Sequence, residues 1–171
     1  EEQKGSLLPK IAKGELKFSM GLTEPGGGTD ILGAIQTKAE DKGDHWLING
    51  TKMFITGAHK SDYMVLIAIT NPGAKRKNGL SIFLVPQPIK GLQTKLIPKI
   101  GCHAAGTNEV VLEDVKIPKG NLIGTRDNGW FELLGTLNPE RIGTAMLSLG
   151  IAKAAFRDAM EYAKVREAFG G

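Results

Sequence analysis

The chain has 171 residues, 41% of them hydrophobic and 23% charged, with a formal charge of +4 and a single cysteine. That length accommodates one domain with an appended element and a core that needs no staples. One cysteine excludes an internal disulfide or a cysteine-based metal site, no apolar run nears the about 20 residues of a membrane helix, and the scattered Lys and Arg residues argue against a nucleic-acid-binding face. The opening residues Glu1 to Ser6 carry neither the basic nor the apolar region of a secretory signal. Together with the lone Cys102 this leads us to expect a reducing compartment, cytoplasmic or the mitochondrial matrix.

In chain order, residues 1–14 read as an N-terminal connecting segment, 15–127 as a β-domain and 128–171 as the start of a helical domain. Strands are expected at 16–22, 33–40, 45–49, 51–55, 63–69, 80–85, 92–97, 109–113 and 115–117, short runs rich in β-branched residues and separated by turn signals. Asn49-Gly50 predicts a hairpin, since a type I′ turn needs positive φ at both central residues. Lys75-Arg76-Lys77 lies between Pro-Gly and Asn-Gly signals and reads as a solvated loop tip. Without helices between the strands, the fold class is mainly β: an antiparallel β-barrel or orthogonal sandwich of about seven to nine short strands, followed by a C-terminal α-helix. Asn138 as cap, Pro139 at the first helical position and Glu140 beside the dipole predict a helix from there to about residue 169. Ile142, Ala145, Met146, Leu149, Ala152, Phe156, Ala159 and Ala163 recur at helical spacing and give it one apolar stripe.

Residues 22–30 hold three consecutive glycines between Thr23 and Thr29. Free of Cβ bulk, their N–H groups and the flanking hydroxyls suit a phosphate or a flavin, although a flexible β-turn would have the same composition. Ile31 occupies the place of the third glycine of a dinucleotide fingerprint, and no helix is evident after it. Gly101 to Asn108 has P-loop spacing but lacks the lysine, and His45, His59 and His103 lack metal-ligand spacing. Cys102 has no nucleophile context, and Ser61, Ser81 and Ser148 lie in no nucleophile elbow. Alternation places Phe54 and Thr56 on one strand face, an aromatic plane beside a hydroxyl; a routine strand end would look the same.

Taken in order, Thr23-Glu24-Pro25-Gly26-Gly27-Gly28-Thr29-Asp30, Asn49-Gly50-Thr51-Lys52-Met53-Phe54-Ile55-Thr56 and Gly101 with Thr107-Asn108-Glu109 resemble the acyl-CoA dehydrogenase family. The likeness continues through Leu112-Glu113-Asp114-Val115, Ile117-Pro118, Leu122-Ile123-Gly124, Gly129-Trp130, Arg141, Tyr162 and Arg166-Glu167-Ala168-Phe169-Gly170, covering residues 15–171. The resemblance implies noncovalent FAD binding by the β-domain. Met20, Gly21, Leu22, Thr23, Gly28 and Thr29 would line the flavin and its phosphates, Phe54 would lie against the ring, and Ile55 with Thr56 would meet its edge. Arg166 matches an arginine that contacts the FAD of a neighbouring subunit, which implies a homo-oligomer. Thr29, Asn138 and Arg141 match positions near the acyl-CoA substrate. Glu140 corresponds to the catalytic base of some members, whereas most place that base in the C-terminal helical domain.

The implied reaction is oxidation of a saturated acyl-CoA to a trans-2-enoyl-CoA, with electrons passing to an electron-transferring flavoprotein. Gly27, Thr29 and Phe54 depart from the family's usual Ala, Ser and Trp, keeping the chemistry and changing the size. The chain by itself is expected to retain FAD weakly and to show no turnover. Two alternatives stand beside this reading. One is a β-barrel interaction module, which for single-stranded nucleic acid would need more aromatic platforms than 6% aromatics supply. The other is a related acyl-CoA oxidase or flavin monooxygenase.

Overall fold

The apolar run at residues 63–69 becomes a central strand in the computed structural model, which describes residues 2–170. The elements are α1 (Glu2–Ala12), β1 (Phe18–Gly21), α2 (Ile31–Ala34), β2 (Lys38–Asp41), β3 (His45–Thr56), β4 (Tyr63–Ile69), β5 (Leu80–Pro86), β6 (Leu92–Leu96), β7 (Thr107–Pro118), β8 (Leu122–Ile123) and α3 (Gly129–Val165). Leu66 to Ile69 of β4 and Leu80 to Val85 of β5 are buried without interruption, the mark of strands covered on both faces. Trp46 of β3 packs edge-on against Phe83 of β5 with ring centroids 5.1 Å apart. Side chains of this size each contribute about 1.5–3 kcal/mol on full burial.

The strands form one eight-stranded sheet in the order β6-β7-β3-β2-β4-β5-β8, with β1 joining β4 off that path. The expectation of a mainly β fold with a C-terminal helix holds, but the closed antiparallel barrel does not. The path ends at β6 and β8 without closing, and the pairings of β1 and of β2 with β4 are parallel. Those parallel pairs arise because the chain makes a long excursion through α2, β2 and β3 before β4 returns beside β1. A two-residue β8 at Leu122–Ile123, outside the expected strands, pairs with Ile82 and Phe83.

Asn49-Gly50 is not a hairpin turn. Residues 45–56 run on as one strand, and the hairpin turn falls at Lys42-Gly43-Asp44, where Gly43 has φ 90° and the Lys42 N–H donates to the His45 carbonyl at 3.0 Å. Gly50 sits at a bulge with φ 154°, and a Cβ there would lie 2.4 Å from Thr37 Oγ1. Opposite it, residues 109–113 and 115–117 fuse into β7 across Asp114, which has φ 51° and donates its N–H to Asn49 Oδ1 at 2.8 Å. The asparagine and glycine therefore serve a paired strand irregularity, not a chain reversal.

Two further expectations, one of a strand and one of a helix start, also change. Residues 33–40 are not one strand: a single helical turn, α2, precedes β2, capped by Asp30 Oδ1 accepting the Gly33 N–H at 3.0 Å. The long helix α3 begins at Gly129, so Pro139 is interior and Asn138 is not its cap. Residues 2–12, read as connecting segment, are helical.

The chain divides into two compact units, one reaching Phe131 and the other starting at Glu132. Along the second, Ile142, Met146, Leu149 and Phe156 of the expected stripe are 56–69% exposed, and Leu147 and Ile151, off the stripe, are equally so. No helix of the described residues is long and apolar enough to cross a membrane.

Candidate functional site

Strand β1 delivers the chain into the tri-glycine loop. A Cβ at its Gly21 would fall 2.7 Å from Met64 Sδ and 2.9 Å from Leu66 Cδ1, so the glycine leaves room for these two buried β4 side chains as they stand. Met20 and Leu22 are half-buried on either side. At the loop's entry the Gly27 N–H donates to the Glu24 carbonyl at 3.0 Å, and Gly28 packs so close that a Cβ would lie 2.9 Å from Thr23 Cγ2. Gly28 and Thr29 are exposed on the outer arm, and Thr23 is half-buried on the inner one.

A buried ion pair holds this loop. Lys52 of β3, 0% exposed, donates from Nζ to Glu24 Oε1 at 2.8 Å and to the Leu22 carbonyl at 3.2 Å. The Glu24 carboxylate also accepts the N–H groups of Gln36 at 2.7 Å and Thr37 at 3.1 Å, closing the excursion between residues 24 and 37. Burial pushes the Lys52 ammonium down to about 8 against the opposing pull of Glu24. Burial would raise Glu24, but the charge of Lys52 and the hydrogen bonds from Lys52, Thr37 and Gln36 outweigh it and hold the carboxyl below its ordinary range.

Two residues beyond Lys52 the strand departs from regular geometry. The pairing of β3 with β7 shifts between Lys52 and Ile55, and Phe54 adopts φ 62° with its ring 63% exposed. A bulky residue in the left-handed region is strained by about 1–3 kcal/mol, and such strain concentrates at binding sites. Ile55 is buried and its carbonyl accepts from Asn108 Nδ2 at 2.9 Å, and Phe54 and Thr56 are both exposed; the bulge between Lys52 and Ile55 reverses the parity of the strand, since Lys52 points inward. The Met53 N–H donates to the Thr23 carbonyl at 2.8 Å, so loop and strand end are joined backbone to backbone.

The structure thus joins the segment of Met20, Gly21, Leu22 and Thr23, through the Thr23 carbonyl, to the strand end that carries Phe54, Ile55 and Thr56, with Gly28 and Thr29 further along the same loop. Asn138, Glu140, Arg141 and Arg166 belong to the second unit and are all exposed. There Arg141 Nη1 donates to Asn138 Oδ1 at 2.7 Å, Thr144 Oγ1 donates to the Glu140 carbonyl at 3.0 Å, and the Arg166 N–H donates to the Tyr162 carbonyl at 2.9 Å just past the end of α3.

Sequence reasoning assigned no role to Glu24 or Lys52. A signal existed: Lys52 shares strand parity with the inward-facing Trp46 and Ile48, and a lysine in a core-facing set is rarely buried unless paired. The partner, 28 residues away, had no local mark.

Residues 19–115 match the acyl-CoA dehydrogenase middle domain, and residues 127–171 match the acyl-CoA dehydrogenase C-terminal domain. The chain belongs to the acyl-CoA dehydrogenase family. It is 43% identical to a short-chain-specific acyl-CoA dehydrogenase of Clostridium acetobutylicum over 99% of its own length and 45% of the relative's. It is 39% identical to a subunit of the caffeyl-CoA reductase–Etf complex of Acetobacterium woodii, over 99% of the chain and 45% of that protein. The crystal structure of an acyl-CoA dehydrogenase from Geobacillus kaustophilus superposes with a TM-score of 0.95 at 36% identity, covering all of this chain and 45% of that one. The chain therefore spans a little under half the length of the relatives it matches.

Members of this oxidoreductase family generally use FAD, and the acyl-CoA dehydrogenase residues seen here fit that group. An exposed aromatic ring suits the face of a planar heterocycle. The hydroxyls of Thr23 and Thr56 suit its polar edge, and a loop without side chains at 26–28 gives phosphates access to backbone N–H groups.

Proposed function

We propose that this chain is the flavin-cradling part of an acyl-CoA dehydrogenase that oxidises a saturated acyl-CoA to a trans-2-enoyl-CoA, its electrons passing to an electron-transferring flavoprotein. The single observation that carries the reading is the 2.8 Å hydrogen bond from the Met53 N–H to the Thr23 carbonyl, which joins the stem of the glycine loop to the strand end that carries the exposed Phe54. FAD, when bound, supplies the acceptor for the substrate's β-hydride. Phe54 would hold the ring face, Thr23 and Thr56 would serve its polar edge with Met20, Gly21, Leu22 and Ile55 as the wall, and Gly28 and Thr29 would receive the phosphates. By the family likeness, Asn138 and Arg141 would meet the CoA portion, Arg166 the flavin of a second subunit in a homo-oligomer, and Glu140 is the carboxylate of this chain that matches the α-proton base of some members, most of which carry that base elsewhere in the C-terminal helical domain.

The Etf complex named for the Acetobacterium relative supports the electron-transferring flavoprotein as partner. Gel filtration after incubation with FAD, followed by dye reduction with a panel of acyl-CoA substrates, tests the reading. The isolated chain is expected to retain little flavin and to reduce no dye. Flavin fluorescence unquenched at every chain concentration overturns the cofactor assignment. A protein of the relatives' full length that reduces dye with no acyl-CoA overturns the activity.

A further inference from the structure

We infer that the buried Glu24–Lys52 pair is a positioning device that fixes the separation between the tri-glycine loop and the Phe54–Thr56 strand end, the two sides of the proposed flavin groove. The inference rests on the flavin reading above. Three segments converge on these two side chains: the loop's entry through the Leu22 carbonyl and Glu24 itself, its exit through the N–H groups of Gln36 and Thr37, and β3 two residues before Phe54. The glycines at 26–28 carry no side chains that could anchor the loop along its length, so its placement depends on its ends.

Stability alone gives a weak reason for such a pair. Replacing a buried ion pair by apolar residues of similar volume is often neutral or stabilising, because desolvation offsets the attraction. Apolar substitutes here would fill the space while leaving the Gln36 and Thr37 N–H groups and the Leu22 carbonyl without these partners, and the loop free to drift. A ligand that needs both sides of the groove then binds only the fraction of molecules with the loop in place.

The test uses the 171-residue chain with two readouts: FAD affinity from flavin fluorescence, and amide hydrogen exchange at Gln36 and Thr37 compared with Leu66 and Phe83 in the paired β4 and β5. In the double variant Glu24→Leu/Lys52→Met we expect the core amides to keep their protection, Gln36 and Thr37 to lose theirs, and FAD to bind about tenfold more weakly. Lys52→Arg, which keeps the charge, is expected to retain most of the affinity. Should the double variant fail to fold, Glu24→Gln is compared in the same way, with faster exchange confined to Gln36 and Thr37. Unchanged FAD affinity in a folded variant, or exchange at Gln36 and Thr37 that changes only in step with the core, overturns the proposal. If the parent chain binds no FAD, the flavin reading fails, and the exchange pattern still decides whether the pair holds the loop.

Discussion

Phe83 and Met146 are both large apolar residues, yet Phe83 is fully buried between strands and Met146 is 68% exposed on α3. The sheet unit draws its stability from interlocking side chains, so each strand depends on the register of its neighbours. Beyond the buried Leu133, the helical unit is held by its own backbone ladder, and its exposed apolar residues add little to the stability of the folded chain. Sequence hydrophobicity alone does not separate the two cases; the pairing partners of each residue do.

The comparison is sharpest where a core side chain is cut back. Phe83→Ala should lower the unfolding free energy by about 4 kcal/mol in chemical denaturation, through lost burial and the cavity left behind. Lys52→Met should cost about 3 kcal/mol, since it strands a buried carboxylate. Its pH profile carries a second signature. The folded pKa of about 8 lies below the ordinary 10.5, so between those values the unfolded chain binds more protons. The parent should therefore gain stability relative to Lys52→Met as the pH rises above about 8. On the acid side, the Glu24 contribution is present above the ordinary carboxyl range and is lost as the pH falls through its lowered folded value; Glu24→Gln should flatten that limb.

Asn49→Ala removes the acceptor of the Asp114 N–H and should cost about 1 kcal/mol, with the loss confined to the β3–β7 junction in exchange measurements. The smallest effect is expected on the helix, where Leu149→Ala should stay within about 0.5 kcal/mol. A Leu149→Ala loss as large as that of Phe83→Ala would break the distinction between the units.

Legibility from the sequence followed the same division. Residues 63–69 were readable to the residue because an unbroken apolar run is bounded by polar turns, and alternation paired Phe54 with Thr56, although the bulge after Lys52 that turns both outward had no mark in the sequence. The Asn49-Gly50 reading failed because positive φ serves a bulge as well as a turn, and the contact that decides between them, Thr37 against Gly50, is tertiary. One turn of helix at α2 is too short to show a period. Asn138-Pro139 has the chemistry of a helix start, and only the continuation back to Gly129 reveals it as interior. Within the candidate site the loop and the aromatic were visible as types, whereas Glu24 and Lys52 find each other only through the fold.

The true reversal at Lys42-Gly43-Asp44 offers a practical handle. Gly43 has open space around it, with nothing within 4 Å of a would-be Cβ, and both strands of the hairpin run away from it into the sheet. A peptide epitope spliced between Gly43 and Asp44 would project into solvent without disturbing the glycine loop or the strained phenylalanine, giving a tether for immobilising the chain while its groove stays open.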